Sequence, residues 1–389
     1  MQDFIFNTPT TVYFGRGKEK EVGKIIAGYG YKKIMMQYGK NSIKATGLYD
    51  VVMQALKEQG IEVIEKGGVE PNPKIEFVRE AIELARKENV ELILAVGGGS
   101  VIDSCKYTAL GVKYDGDVWD FALKKVMPTD ALPVGCILTM SAAGSEMSNS
   151  AVISDLSKSE KRGCGTELNR PKFAIMNPEL TFTVSKYQTA CGVADIMAHT
   201  MERYFTLFEP TDLTDRIAES VLKAVISAGR VAVKNPTDYQ ARANIMWASS
   251  LSHNGLTACG RENFLAVHQL EHAISGEFDH VAHGAGLAVL FPAWAKYVYK
   301  QKPERFAQFA RRVWDVDEQD DIKASELGIQ KMADYFKEIG LETKIRDFNI
   351  PKDSLDKLAD LCTFNKTRVI KNYIPLGYKE VKDIFELCY

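Results

Sequence analysis

Histidine and aspartate residues at helical spacing in the second half of the chain could bind a metal ion. Asp195 and His199 stand four apart in GVADIMAHTME, and His268 and His272 repeat this spacing in HQLEH. Side chains at this spacing lie on one face of a helix, about one turn apart. His283 follows in HVAHGAGLA, where we expect a further helix to begin. Neutral imidazoles with one carboxylate suit Fe(II), Zn(II), Co(II) or Ni(II), so these residues predict a metal site.

The residue order leaves the fourth ligand of this site open. His272, His280 and His283 could each supply it. HQLEH resembles the H-E-x-x-H motif of metalloproteases, but Glu271 stands at a different position in it. A metal-dependent hydrolase is therefore only a remote alternative.

A glycine-rich segment in the first half predicts a site for a nucleotide phosphate. Residues 92–103, LILAVGGGSVID, have the pattern of a strand, a glycine turn and a helix. Glycines let the backbone approach a phosphate, and a helix N-terminus offers N–H donors and a positive dipole end. The segment lacks the G-x-G-x-x-G fingerprint, so a tight turn without a ligand is the alternative. Asp103 could bind the cofactor or stabilise the start of the helix.

A second loop bears on the choice of cofactor. Gly39, Lys40, Ser42 and Lys44 follow the strand predicted at 32–38. A carboxylate at the end of this strand binds a ribose 2′-hydroxyl, whereas a small or basic environment accommodates a 2′-phosphate. The loop therefore favours NADP(H) over NAD(H), although two lysines in an exposed turn are often plain solvated charge.

A third loop, TMSAAGSE at 139–146, follows an apolar strand and is rich in small residues. It is either an ordinary capped turn or a flat surface that supports a nicotinamide ring.

The elements that must position these residues differ between the two halves. Short β-branched strands alternate with helices in the first half, which predicts βαβ units and a Rossmann-like parallel sheet. We expect a dinucleotide-binding α/β domain over 1–185 and an all-helical metal-binding domain over 186–389, with an extensive interface. Residues 4–15 are predicted to form a hairpin. Helices are predicted near 186–206, 211–232, 238–257, 263–275, 285–299 and 323–338, with shorter ones at 352–363 and 378–388.

Composition excludes several classes of protein. The 389 residues are 46% hydrophobic and 26% charged, which is typical of a globular chain. A net charge of -2 gives no electrostatic case for nucleic acid or a membrane surface as partner. No apolar run reaches the ~18 residues that span a bilayer. Seven scattered cysteines and the absence of a signal-peptide pattern predict a cytoplasmic protein with reduced thiols.

Taken together, the motifs resemble the iron-containing (group III) alcohol dehydrogenases, close to their NAD(P)H-dependent butanol dehydrogenase branch. The matching segments, in this order, are the predicted N-terminal hairpin, GGGSVID, the loop 139–146, NPEL at 177–180, GVADIMAH, HQLEH and HGAGLA. The resemblance implies a dehydroquinate synthase-like fold of an α/β and a helical domain. It also implies reversible hydride transfer between NAD(P)H and an aldehyde or primary alcohol, such as butanal or butanol.

The resemblance also implies roles for individual residues. Asp195, His199, His268 and His283 would bind Fe(II), with Zn(II) or another divalent ion as alternative. His272 would lie beside the metal as a proton-relay residue. The implied cofactor-binding residues are Gly97, Gly98, Gly99, Ser100, Asp103, Thr139, Met140, Lys161, Leu180 and Thr183.

Three departures from the family pattern stand out. The spacing from His268 to His283 is one residue longer than in many relatives, and Ala143 stands where relatives often have threonine. Residues 39–42 are GKNS, whereas NADP-preferring relatives often have GGGS there, so the choice of cofactor stays open.

Two other functions are alternatives to an alcohol dehydrogenase. A glycerol dehydrogenase- or dehydroquinate synthase-like enzyme would share the fold, but one aspartate with three histidines favours the alcohol dehydrogenases. A non-catalytic metal or nucleotide sensor is a remote reading. The predicted hairpin could pair across a two-fold axis, so we expect a homodimer that acts on a small aldehyde or alcohol.

Overall fold

The computed structural model describes residues 1–207, 211–262 and 264–389. The chain forms two compact units, one of residues 7–184 and one of residues 1–6 together with 185–389. The predicted domain boundary lies next to this division, but the first six residues belong with the helical unit and not with the α/β unit. The Gln2 N–H donates to the Gly260 carbonyl at 2.9 Å, which ties this segment to the helical unit.

The α/β unit is built on a parallel sheet, as predicted. Its strands are β1 (Thr11–Phe14), β2 (Lys33–Tyr38), β3 (Glu62–Gly67), β4 (Leu92–Gly97), β5 (Val134–Leu138), β6 (Ser150–Asp155), β7 (Glu160–Gly165) and β8 (Phe173–Met176). Its helices are α1 (Val22–Gly28), α2 (Ser42–Ala45), α3 (Leu48–Glu58), α4 (Ile75–Glu88), α5 (Gly99–Val112) and α6 (Trp119–Ala122). Within the described residues, six of the strands form one sheet in the order β1-β8-β5-β4-β2-β3.

The sheet is buried on both faces, which explains its continuous apolar strands. Ile34, Leu94 and Ile175 are fully buried on three of these strands. Helices cover both sides of a parallel sheet, so its strands need apolar side chains in both directions.

The hairpin predicted over residues 4–15 is wrong. Only residues 11–14 form a strand, and β1 pairs in parallel with β8, with Thr11 opposite Phe173. The alternation of apolar residues in this segment is that of a strand, but its pairing partner is β8, which is distant in sequence. Pro9, which has no N–H to donate to a ladder, lies before the strand.

A small second sheet completes the α/β unit. Strand β6 pairs antiparallel with β7, and the two strands lie outside the main sheet. Strand β7 was not predicted from the sequence.

The second unit is helical, as predicted. Its described residues form the helices α7 (Lys186–Tyr204), α8 (Asp212–Ala232), α9 (Tyr239–His253), α10 (Ala266–Glu277), α11 (His283–Val298), α12 (Pro303–Trp314), α13 (Asp321–Glu338), α14 (Ser354–Cys362) and α15 (Tyr378–Leu387). Residue 263, the predicted start of one helix, lies outside the described residues. Helix α12 was not predicted. No helix in the described parts of the chain is long and apolar enough to cross a membrane.

Helices α7 and α11 pack closely at the centre of this unit. Nearly the whole length of α7 is buried, and most of α11 is buried with it. A Cβ atom on Gly284 would lie 2.0 Å from the Cys191 carbonyl oxygen, so only glycine permits this approach. Because Gly284 follows His283 directly, the contact fixes the start of α11 against α7.

Candidate metal centre and cofactor site

Three helices of the second unit bring Asp195, His199, His268 and His283 together; we call these residues the Asp–His cluster. The Asp195 Oδ1 atom lies 3.4 Å from His199 Nε2, 3.7 Å from His268 Nε2 and 3.9 Å from His283 Nε2. Asp195 and His199 lie one turn apart on α7, His268 lies near the start of α10, and His283 is the first residue of α11.

The chemistry of the Asp–His cluster fits a divalent cation. Asp195 Oδ1 and His268 Nε2 are buried, and neither finds a hydrogen-bond partner among the described residues. Leaving such atoms unmatched costs free energy, so native structures rarely do so. Ligand atoms about 2 Å from a common tetrahedral ion stand roughly 3–3.5 Å apart, close to the observed spacing.

Protonation equilibria in the cluster agree with this chemistry. Burial, together with the neighbouring His253 and His268 rings, holds the pKa of His199 well below its usual range, so its imidazole is neutral. Burial also lowers the pKa of His268, but the Glu202 and Asp195 carboxylates outweigh it and raise that pKa to about 9. The Glu202 and Asp195 carboxylates thus place negative charge beside His268, and this charge also favours a bound cation.

Two carboxylates that sequence reasoning missed lie behind the imidazoles. Glu202 Oε2 is 2.5 Å from His268 Nδ1, and Glu271 Oε2 contacts His283 Nδ1. Both glutamates are buried. A signal for Glu202 was available, because it lies two helical turns from Asp195 and on the same face of α7.

The remaining histidines near the cluster have other positions. The His272 ring lies on α10, with its centroid 5.6 Å from that of His283. His280 Nε2 donates to the Phe348 carbonyl at 2.9 Å. His253, at the end of α9, stacks on His199 with ring centroids 4.0 Å apart. Of the three residues that the sequence left open as fourth ligand, His283 has its Nε2 atom 3.9 Å from Asp195 Oδ1.

The predicted cofactor loops lie at one edge of the sheet in the α/β unit. Strand β4 pairs with β2 on one side and β5 on the other, with Tyr38 opposite Val96 and Gly97 opposite Leu138. Strand β8 follows β5 in the same direction. The loops after these parallel strands therefore meet at their carboxyl ends, where open α/β sheets bind ligands.

The glycine turn after β4 combines close packing with an open helix N-terminus. A Cβ atom on Gly97 would lie 2.5 Å from the Val101 side chain, and one on Gly98 would lie 3.3 Å from Met140 Cβ. The Thr139 N–H donates to the Gly97 carbonyl at 3.0 Å. The N-cap of α5 is Gly98, which has no side chain to cap the helix, so its N–H groups suit an anion.

Asp103 holds the loop that follows β5. Its Oδ1 atom accepts from the Ser145 hydroxyl at 2.6 Å, and its Oδ2 atom accepts from the Val152 N–H at 2.9 Å. Lys161 on β7 donates to Asn72 Oδ1 at 3.0 Å. Both predicted residues thus have partners within the α/β unit.

The loop after β2 contains the residues predicted to select the cofactor. Lys40 Nζ lies 2.7 Å from Glu70 Oε1. Lys44 Nζ lies 5.3 Å from the centre of the Tyr38 ring, while Ser42 is exposed. A Cβ atom on Gly39 would meet the Val69 carbonyl oxygen at an ordinary 3.6 Å.

The other predicted cofactor residues are dispersed around this edge. Gly99 and Ser100 begin α5 and are half-buried. Leu180 packs against the core of the α/β unit, and Thr183 is exposed near its end.

Comparison with known proteins places the chain in a family. Residues 9–178 match the model of iron-containing alcohol dehydrogenases, and residues 189–389 match the C-terminal model of the same family. The chain belongs to the iron-containing alcohol dehydrogenase family, which confirms the resemblance drawn from the motifs.

Individual relatives match the chain over most or all of its length. NADH-dependent butanol dehydrogenase A of Clostridium acetobutylicum is 42% identical over 100% of both chains. The NADPH-dependent aldehyde reductase YqhD of Escherichia coli is 34% identical over 92% of both. The crystal structure of NADH-dependent butanol dehydrogenase A from Thermotoga maritima superposes with a TM-score of 0.97 at 37% identity, covering 100% of this chain and 99% of that one.

Proposed function

We propose that this protein is a metal-dependent oxidoreductase that transfers a hydride between NAD(P)H and an aldehyde or primary alcohol, with butanal and butanol as model substrates. The observation that carries the proposal is the convergence of three Nε2 atoms on Asp195 Oδ1. Relatives named as butanol dehydrogenases and aldehyde reductases support the substrate class.

The Asp–His cluster would hold the cation, and Fe(II) is the ion we propose because of the family. When bound, the cation is a Lewis acid for the substrate oxygen, and the dihydronicotinamide supplies the hydride. Asp195, His199, His268 and His283 would hold the cation through one carboxylate and three imidazoles.

His272 is the proposed proton-relay residue. This residue of α10 lies beside His283 and is half-buried, so it can exchange a proton with water. An imidazole titrates near neutral pH and can therefore return the proton that the alkoxide product needs.

The proposed cofactor-binding residues are those at the carboxyl edge of the sheet. Gly97 to Ser100 would receive the pyrophosphate at the N-terminus of α5. We propose NADP(H) over NAD(H), because Gly39 puts no carboxylate at the end of β2. The butanol dehydrogenases among the relatives are named NADH-dependent, so both cofactors belong in the assay.

We also propose a cytoplasmic homodimer. All seven cysteines in the described residues are free thiols. Phe4 and Ile5 are 51% and 96% exposed, and β1 is an edge strand, so a second copy would cover apolar surface.

A single variant tests the metal ligands. His268→Ala should lose bound metal and most turnover with butanal, while NADPH still binds. Metal content, NADPH fluorescence titration and steady-state rates with NADPH and NADH measure the three effects. Wild-type metal content and turnover in this variant would contradict the assignment.

A further inference from the structure

Behind the Asp–His cluster, each of two ligand rings has its second nitrogen against a buried glutamate. His268 Nδ1 lies 2.5 Å from Glu202 Oε2, and His283 Nδ1 contacts Glu271 Oε2. A carboxylate is an acceptor only, so each ring donates its Nδ1 proton. In a neutral imidazole the lone pair is then on Nε2, the atom that faces Asp195.

Glu202 has a second set of contacts that joins two ligand-bearing helices. It stands on α7, and its Oε1 atom accepts from the backbone N–H groups of Val267 and His268, the latter at 3.3 Å. The N-cap of α10 is the apolar residue Leu265, so Glu202 supplies the acceptor at that helix start. Its negative charge also suits a helix N-terminus. One side chain thereby fixes both the orientation of the His268 ring and the register of α10 against α7.

Glu271 has a complementary position on α10. It is fully buried, and a Cβ atom on Gly286 would lie 2.9 Å from Glu271 Cγ. Because residue 286 is a glycine, the Glu271 side chain has room to contact His283. Glu271 links α10 to α11 as Glu202 links α7 to α10.

The buried charges of this region also point to a divalent cation. Asp195, Glu202 and Glu271 bring three carboxylates, and Arg203 brings one guanidinium, which donates to the His199 carbonyl at 2.6 Å. These groups carry a net charge of -2 when every imidazole is neutral, and protonation of His268 would still leave the charge of this low-dielectric region negative. Unbalanced buried charge is costly, and a divalent cation balances it.

We propose that Glu202 and Glu271 are positioning residues of the metal centre, which set the tautomers of His268 and His283 and supply negative charge that the cation balances. This inference rests on the proposed function, because it takes the Asp–His cluster as the ligands. Carboxylates in this position raise ligand basicity, and their loss typically weakens metal binding roughly 10–100-fold.

The test measures metal affinity and ligand geometry in the full chain. Glu202→Gln and Glu271→Gln keep an oxygen acceptor and remove the charge. Competition with a chromophoric chelator should show Co(II) dissociation constants raised roughly 10–100-fold in both variants. The visible absorption of bound Co(II), which reports its ligands and geometry, should also shift.

Glu219→Gln is the matched control. Glu219 is a buried carboxylate of the same unit, and its described partners Tyr204, Gln308 and Arg312 are not members of the Asp–His cluster. Removing its charge should therefore leave metal affinity unchanged. Circular dichroism checks the fold of every variant. Glu271→Gln leaves the start of α10 intact, and it decides the result if Glu202→Gln does not fold.

The outcomes separate the two proposals. Wild-type Co(II) affinity and spectrum in both glutamine variants, with metal lost in His268→Ala, would overturn the positioning role and leave the metal centre standing. Wild-type metal binding in His268→Ala would overturn the proposed function itself.

Discussion

Gly39 is the residue on which we propose that the choice between the two nicotinamide cofactors depends. A Cβ atom at this position would make only an ordinary van der Waals contact, and the φ angle of Gly39 is not positive. An aspartate can therefore be introduced without backbone strain. Gly39→Asp should lower the preference for NADPH, measured as the ratio of kcat/KM values, by more than about tenfold, because a carboxylate repels the 2′-phosphate. Gly39→Asn is the control for size without charge. An unchanged ratio in Gly39→Asp would remove the argument for this loop.

Asp103 offers a second test at the scale of one residue. Asp103→Ala leaves the Val152 N–H without its acceptor and should lower the free energy of unfolding by about 1–3 kcal/mol. Asp103 also holds Ser145, which belongs to the loop 139–146 that is proposed to line the cofactor. We therefore expect a higher KM for the nicotinamide cofactor in this variant. Asp103→Asn keeps an acceptor and should have a smaller effect on both. Denaturant unfolding and steady-state kinetics measure the two effects, and equal effects of alanine and asparagine would contradict the role of the hydrogen bonds.

Residue types and spacing indicate the proposed ligands more directly than they indicate the residues that surround those ligands. Asp195, His199 and His268 could be found from helical spacing, because that spacing fixes which side chains share a face. The fourth ligand stayed open, because it depends on how α11 packs on α7. The role of Glu271 was missed for the same reason, because a buried acid behind an imidazole is a tertiary contact. Glu202 shares a face of α7 with Asp195 and could have been found from spacing.

At the scale of elements, local sequence patterns predicted those strands and helices in which buried apolar residues recur at a regular spacing. Strand β4 is an apolar run buried on both faces, and it lies at the start of the segment 92–103 that was predicted to begin with a strand. Pairing partners were less accessible, since parallel pairs such as β1 with β8 join residues about 160 apart. Helix α12 was missed although its signals are present: Pro303 begins it, and Phe306, Ala310 and Val313 recur at helical spacing.

Gly284 gives a prediction for the packing of two elements. Gly284→Ala places a methyl group against the Cys191 carbonyl, so α11 must move away from α7. We expect a loss of about 1–3 kcal/mol in the free energy of unfolding. Weaker metal binding should accompany it, because His283 moves with the start of α11.

Gly28→Ala is the control for this prediction. A Cβ atom there would meet no described atom within 4 Å, and alanine favours a helix. Thermal unfolding and Co(II) titration compare the two variants. Wild-type metal affinity in a destabilised Gly284→Ala protein would show that the contact supports the fold but not the metal centre.

At the scale of the whole molecule, each unit has its own apolar core. The helical unit contains one large cluster that includes Phe205 and Trp294. The α/β unit has separate clusters around β2 and β4 and around Tyr107 and Trp119. A ligand that binds one unit in its folded form should therefore stabilise that unit first.

Hydrogen exchange can test whether metal and nucleotide act on different units. A cation present at 100 times its dissociation constant adds about 2.7 kcal/mol to the stability of the form that binds it. Amides of α7, α10 and α11 that exchange by unfolding should then slow by about 100-fold, and a chelator should reverse this. NADPH should instead slow exchange in β4 and the start of α5. If chelation accelerates exchange in β2, β4 and β5 as much as in α7, the two units do not respond separately, and the assignment of one ligand to each fails.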